Sequence, residues 1–245
     1  MNLFHLILSD ERALAWSDGA HFLAAQSNER TPLWLYLAPS LPEEAVRQAA
    51  QCVASRLCLT PGLKLVAEPE RVAPVLQCLE RTHALRLEAG MPMIAYACRR
   101  VCMPPCRGEM VAPEAAHQAA MASLLTQLVE DGEGQSLPAQ EAARFAQAMV
   151  GSDALRLWAD GQVCAMAMVA HRTQSVARIN TVVTERTLRG RGYAGMLVAQ
   201  MCEALLAEGV TPMLYADARN PSSNRAYRKI GFEPVGTVTE YRSAG

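Results

Sequence analysis

Between Leu188 and Gly195 the chain reads LRGRGYAG, which sets glycines 190, 192 and 195 in a G-x-G-x-x-G spacing with Arg189 and Arg191 among them. Glycines so spaced ahead of a helix suit the binding of phosphate. With no Cβ to fend off the oxygens, the main chain comes close, and the helix's first turn leaves about four N–H groups and roughly half a positive charge at that end. The two arginines add cationic donors. Context decides which phosphate is meant, because the spacing also arises in ordinary glycine turns. A dinucleotide domain wants an acidic residue about 20 positions on, and Asp217 meets that, but the 28 residues after it are too few for the further strand and helix units of such a sheet. A kinase would need a lysine-bearing strand, a catalytic loop and a metal-binding aspartate for which no room is left. A P-loop would need Lys followed by Ser or Thr, where this sequence continues Gly192-Tyr193-Ala194-Gly195.

Other reactive residue types gather elsewhere. Cys98, Cys102 and Cys106 recur at four-residue spacing, but no second cluster is present and Pro104 and Pro105 keep one helix from carrying all three, so no metal site is expected. The eight cysteines read as reduced thiols. Glu130, Asp131 and Glu133 crowd the stretch VEDGEGQ, either as a solvated acidic loop or as a surface for a cationic amine. His117 and His171 have no partner at a useful spacing and read as structural or exposed.

The elements that must position the glycine segment follow from periodicity. With 245 residues, 51% of them hydrophobic, there is enough for a real core, and a net charge of -1 gives no basic field to attract nucleic acid. No stretch reaches about 18 uninterrupted apolar residues and the start lacks a cleavable leader, so a cytoplasmic protein with no membrane partner is expected. The first hundred residues alternate strand and helix: strands at residues 33–39 and 63–68 and near 91–101, helices at 42–57 and 69–85, the latter with Pro74 as a break or early-turn position. Prolines and a glycine cluster at residues 102–113, placing a boundary between an N-terminal α/β domain, 1–106, and a second domain, 107–245. In the second domain two helices are expected, one stopped by Gly132 and one by Gly151. Three strands follow, then the glycine segment, a long helix, a strand, a short helix at 222–231 and a final strand pair, FEPVG and TVTEYR.

Arg189-x-x-Gly192-x-Ala194, with a strand before it, a helix after it and NPSSNRAYRKIGF about 30 residues later, resembles the GNAT superfamily of acyl-CoA-dependent N-acetyltransferases, whose signature is R/Q-x-x-G-x-G/A. The similarity runs from about Arg107 to Arg242 and is strongest from Val176 to Phe232. Within the superfamily it is nearest to the bacterial branch grouped with glycine-N-acyltransferase-like C-terminal domains. The resemblance implies a mixed central sheet flanked by helices, an α/β (α+β) GNAT domain, preceded here by a smaller α/β half that is itself a degenerate GNAT-like unit in some such proteins.

It also implies roles. Acetyl-CoA would lay its diphosphate on Arg189, Gly190, Arg191, Gly192, Tyr193, Ala194 and Gly195, and its pantetheine arm along the main chain of Val182, Val183 and Thr184, as an added strand would lie. Asn220 and Ser223 match positions near the cofactor arm, Asn220 being equally suited to a cap before Pro221. Tyr227 stands where the family has its general acid. The strand glutamate that some relatives use as a base is Arg178 here, which cannot accept a proton, so no base is assigned. The implied function is acetyl transfer to an amine of a small molecule, amino acid or peptide; the alternative is an acyl-CoA-binding module without turnover. The N-terminal half would supply acceptor specificity, a homodimer surface or packing.

Overall fold

The computed structural model describes residues 2–29, 31–105, 107–134 and 136–243. The chain forms two compact units. One comprises Met1–Tyr96, Tyr215–Asn224 and Pro234–Gly245, and the other Ala97–Leu214 and Arg225–Glu233. The chain thus leaves the first unit after Tyr96 and returns to it twice near its C-terminus.

The first unit opens with helix α1 (Asn2–Leu8) and three strands, β1 (Leu14–Ser17), β2 (Phe22–Gln26) and β3 (Leu33–Leu37). Asp18 makes the β1–β2 hairpin: its Oδ1 accepts the main-chain N–H groups of Ala20, His21 and Phe22 at 2.7–3.0 Å. These bonds hold its carboxyl far below the usual carboxylate range, that from His21 most of all. Helix α2 (Glu43–Leu59), strand β4 (Leu65–Ala67), helix α3 (Pro69–His83) and strand β5 (Leu87–Cys98) follow. Pro69 occupies the first turn of α3, where its missing N–H costs nothing, and Pro74 is carried inside the helix without ending it. β3 and β4 run parallel, Leu33 beside Leu65, whereas β1–β2 and β2–β3 are antiparallel. The last strand, β11 (Phe232–Ser243), pairs antiparallel with β4 through Thr239–Tyr241. It is one strand of 12 residues where the sequence reads as a pair, so Gly236 does not break it. The core is aliphatic: alternate residues of the strands, Leu33, Leu35 and Leu65 among them, meet Ala49, Ala50 and Val53 of α2 and Val72, Val75 and Leu79 of α3.

In the second unit, β6 (Glu109–Val111) lies in what the sequence presents only as a connection, and pairs antiparallel with β7 (Leu155–Ala159). Helices α4 (Gln118–Glu133) and α5 (Ala139–Met149) come between them. β7, β8 (Val163–Arg172) and β9 (Val176–Thr184) are antiparallel neighbours, and β10 (Thr211–Asp217) runs parallel to β9. Helix α6 (Tyr193–Ala207) packs against β7, β8 and β9, burying Leu197, Val198, Met201 and Leu205. Met121 and Leu124 of α4 sit on Leu155, Leu157, Met166 and Val183. Helix α7 (Pro221–Lys229) links β10 to β11. Both units thus carry mixed strands with helices packed on them. Among the described residues no helix is long and apolar enough to cross a membrane.

Candidate functional site

The site begins with an irregularity in β9. Opposite β8, Val183 pairs with Met166 and Asn180 with Met168, so Thr181 and Val182 together face the single residue Ala167. This is a β-bulge, and Thr181 sits at its centre with φ 53°, an unusual conformation for a β-branched residue. On its other side β9 pairs with β10 only from Val176–Thr211 to Arg178–Met213, and there the ladder ends among the described residues. The main chain bearing Val182, Val183 and Thr184 therefore runs on past that ladder. Val183 is buried in the core beside α4, and Val182 and Thr184 are half-buried.

Past Thr184 a 3-10 turn (Arg186–Leu188) brings the chain to the glycines. Gly190 and Gly192 have φ 79° and 88°, and Gly192 is the residue just outside α6. This left-handed backbone is one that L side chains rarely adopt, so both glycines are required by conformation. A Cβ on Gly190, Gly192 or Gly195 would meet no atom within 4 Å, so the space beside all three is open. The first intrahelical bond runs from Met196 N–H to Gly192 O at 3.0 Å, and the amides ahead of Met196 form the donor-rich first turn. Tyr193 sends its side chain away from that turn: the ring is buried, and its hydroxyl donates to Asp160 Oδ2 at 2.7 Å. Only its main chain is left for a ligand. The donor-rich first turn, the open Cβ positions and the neighbouring arginines fit a diphosphate.

Two arginines, Arg186 and Arg189, are held by α4. Arg189 donates through Nε to Thr184 O at 3.2 Å and through Nη2 to Asp131 Oδ2 at 2.5 Å. Arg186 Nη2 lies 2.8 Å from both Asp131 Oδ1 and Glu130 Oε2. These arginines, Arg186 foremost, hold the Asp131 carboxyl below its ordinary range. Gln127 is buried; its Nε2 donates to Glu185 at 2.6 Å and its Oε1 accepts Arg186 N–H at 2.9 Å, fixing the corner where β9 turns into the loop. Residues 127, 130 and 131 share one helix face, a spacing that marks the face in the sequence and not the arginines it meets. Glu130 and Asp131 are thus neither in a loop nor offered to a cationic amine. Helix α4 runs through Gly132 and is capped by left-handed Gly134, which puts both acids in its last turns against the arginines. The side chain of Glu133 lies outside the description.

The other sequence candidates are placed as follows. Asn220 Oδ1 accepts the N–H of Ser223 at 3.0 Å, so it caps α7. Asp217 spends its carboxylate on Arg219, accepting its main-chain N–H at 2.9 Å and its Nε at 3.2 Å. Tyr227 is half-buried on α7, with its ring edge-to-face on Phe232 at 5.8 Å. Desolvation pushes its phenol up to about 12. Cys98 is buried and Cys102 exposed; Cys106 lies outside the described residues. His117 closes a capping box with Glu114, whose N–H donates to His117 Nδ1 at 3.1 Å.

Asn224 escaped the sequence reading. It is buried, its Nδ2 donates to Asp217 O at 2.8 Å and Asn220 O at 2.7 Å, and its Oδ1 accepts the hydroxyl of fully buried Tyr96 at 3.0 Å. It fixes the entry into α7. Asn224→Leu would strand these polar groups, and chemical denaturation is expected to register a loss of about 2–4 kcal/mol, at roughly 1–3 kcal/mol per buried unpaired group.

Comparisons agree with this architecture. The family model described as FR47-like protein matches residues 159–242, which include β9, the glycine loop and α6. Among solved structures, the GCN5-related N-acetyltransferase from Kribbella flavida is 16% identical, with a TM-score of 0.65 over 99% of this chain and 93% of its own. A GNAT-family protein from Novosphingobium aromaticivorans is 20% identical, with a TM-score of 0.60 over 97% of this chain and 94% of its own. The GCN5-related N-acetyltransferase-like protein from Streptococcus suis is 15% identical, with a TM-score of 0.55 over 99% and 97%. No curated protein matches the chain by sequence. The FR47-like match is thus confined to the C-terminal third of the chain, and the fold of the whole is that of these GNAT-family structures.

Proposed function

We propose that the chain is an N-acetyltransferase that moves the acetyl group of acetyl-CoA to a primary amine of a small molecule, amino acid or peptide. The observation that carries this reading is the loop: two left-handed glycines open onto the first turn of α6, beside a bulged strand whose ladder with β10 is short. Gly190 to Gly195 would hold the diphosphate, with Arg189 and Arg191 adding charge, and the main chain of Val182 to Thr184 would receive the pantetheine arm. Acyl transfer forms a C–N bond and breaks the C–S bond, so the amine must shed a proton and the departing thiolate must be stabilised or protonated. Tyr227 is the donor to sulfur.

One observation favours a second reading, an acyl-CoA-binding module without turnover. Arg178 occupies the strand position of the relatives' glutamate, and Glu130 and Asp131 are engaged by arginines, so neither acid is presented as a base. Thiol release from acetyl-CoA, followed with dithionitrobenzoate across a library of amines, separates the two. Amine-dependent release supports the transferase, and coenzyme A binding without release from any amine would favour the module.

A further inference from the structure

Asp131 serves two arginines at once. One carboxylate oxygen takes Arg186 at 2.8 Å, the other takes Arg189 at 2.5 Å, and Glu130 joins from the preceding position. Arg189 directly precedes the first glycine of the loop. The glycine segment and its lead-in bring three arginines, 186, 189 and 191, and two of them, Arg186 and Arg189, are met by the carboxylates of Glu130 and Asp131. Near the C-terminal end of a helix two carboxylates are also disfavoured by the dipole, a cost the arginines offset. The Arg189–Asp131 side chains are 45% and 38% exposed, so the pair contributes little to the fold.

We infer that Asp131 is an internal counter-anion for the glycine loop, occupying Arg186 and Arg189 in place of a diphosphate and so lowering the affinity of the loop for coenzyme A. This rests on the cofactor reading given above. An incoming diphosphate meets an arginine already neutralised and a carboxylate of its own sign, and must take Arg189 from Asp131 or share it. The opposition is Coulombic, so it weakens with salt. A carboxylate that merely splinted Arg189 toward the ligand would have the opposite effect, and its removal would weaken binding. The sign therefore discriminates.

The test is calorimetry of the wild type, Asp131→Asn, Asp131→Ser and Asp131→Glu with coenzyme A and with pantetheine, which keeps the arm and lacks the diphosphate. At about 20 mM salt both neutral variants should bind coenzyme A about threefold to tenfold more tightly than the wild type, an advantage mostly lost at about 300 mM. Asp131→Glu should match the wild type, and pantetheine should not distinguish the proteins. Equal or weaker coenzyme A binding by both neutral variants overturns the inference, as does a pantetheine affinity that shifts by the same factor. Failure of the wild type itself to bind coenzyme A would overturn the cofactor reading and this inference with it.

Discussion

Gly192→Val is expected to reduce coenzyme A affinity at least about a hundredfold while leaving the protein folded. Two costs of the substitution separate cleanly. A β-branched residue at φ 88° is strained by roughly 1–2 kcal/mol, which for a protein of this size lowers the melting temperature by only about 2–8 °C. No atom lies within 4 Å of the new Cβ, so no packing clash adds to that. The larger loss falls on the ligand, because the valine methyls would project into the open space through which main-chain amides approach phosphate. Losing two hydrogen bonds to a charged group, at about 1.5–3 kcal/mol each, corresponds to a hundredfold or more. Calorimetry beside a thermal melt measures both. Gly195→Ala refines the comparison: Gly195 has no left-handed φ, so alanine should stabilise α6 by up to about 1 kcal/mol while still weakening coenzyme A. Unchanged affinity in both variants would remove the loop from the binding site.

Tyr227→Phe should lower turnover by about 10²- to 10⁴-fold and leave coenzyme A affinity where it was. Phenylalanine keeps the ring that packs edge-to-face on Phe232, so the fold loses only the hydroxyl. The pH profile carries a second expectation. Burial raises the phenol to about 12, so it remains protonated through the neutral and mildly alkaline range, and its loss should produce no alkaline limb near pH 10. A phenol this weak gives up its proton to a thiolate, whose acid has a pKa of about 8.5, only against the gradient. In the proposed reaction Tyr227 would therefore act chiefly through a hydrogen bond to sulfur that strengthens as negative charge develops there. Turnover in the phenylalanine variant equal to the wild type would remove the assignment.

What was legible in the sequence was what is local. The glycine spacing, the strand before it and the amphipathic helix after it depend on neighbours a few residues apart, and β9, the loop and α6 fall where periodicity places them. The bulge at Thr181 was not legible, because VARINTVVT alternates like an ordinary strand and the extra residue arises only from its pairing with β8. The Arg189–Asp131 pair joins residues 58 positions apart, a distance no spacing rule reaches. Gly132 was misleading for a related reason: a glycine ends a helix only where the chain turns left-handed, and here that residue is Gly134. The β1–β2 hairpin did leave a local mark, since Asp18-Gly19 is a turn dipeptide whose carboxylate gathers three main-chain amides. Asn224, by contrast, looks like any polar helix residue until the fold brings Tyr96 to it.

The central claim is that the main chain from Gly190 to Gly195 receives the diphosphate of coenzyme A. An amide-resolved NMR titration of the protein with coenzyme A addresses it directly. The largest shifts are expected at the backbone N–H groups of residues 190–195, and they should be lost or sharply reduced when pantetheine replaces coenzyme A. Saturable coenzyme A binding that leaves those amides unmoved, or that moves them equally with pantetheine, would contradict it.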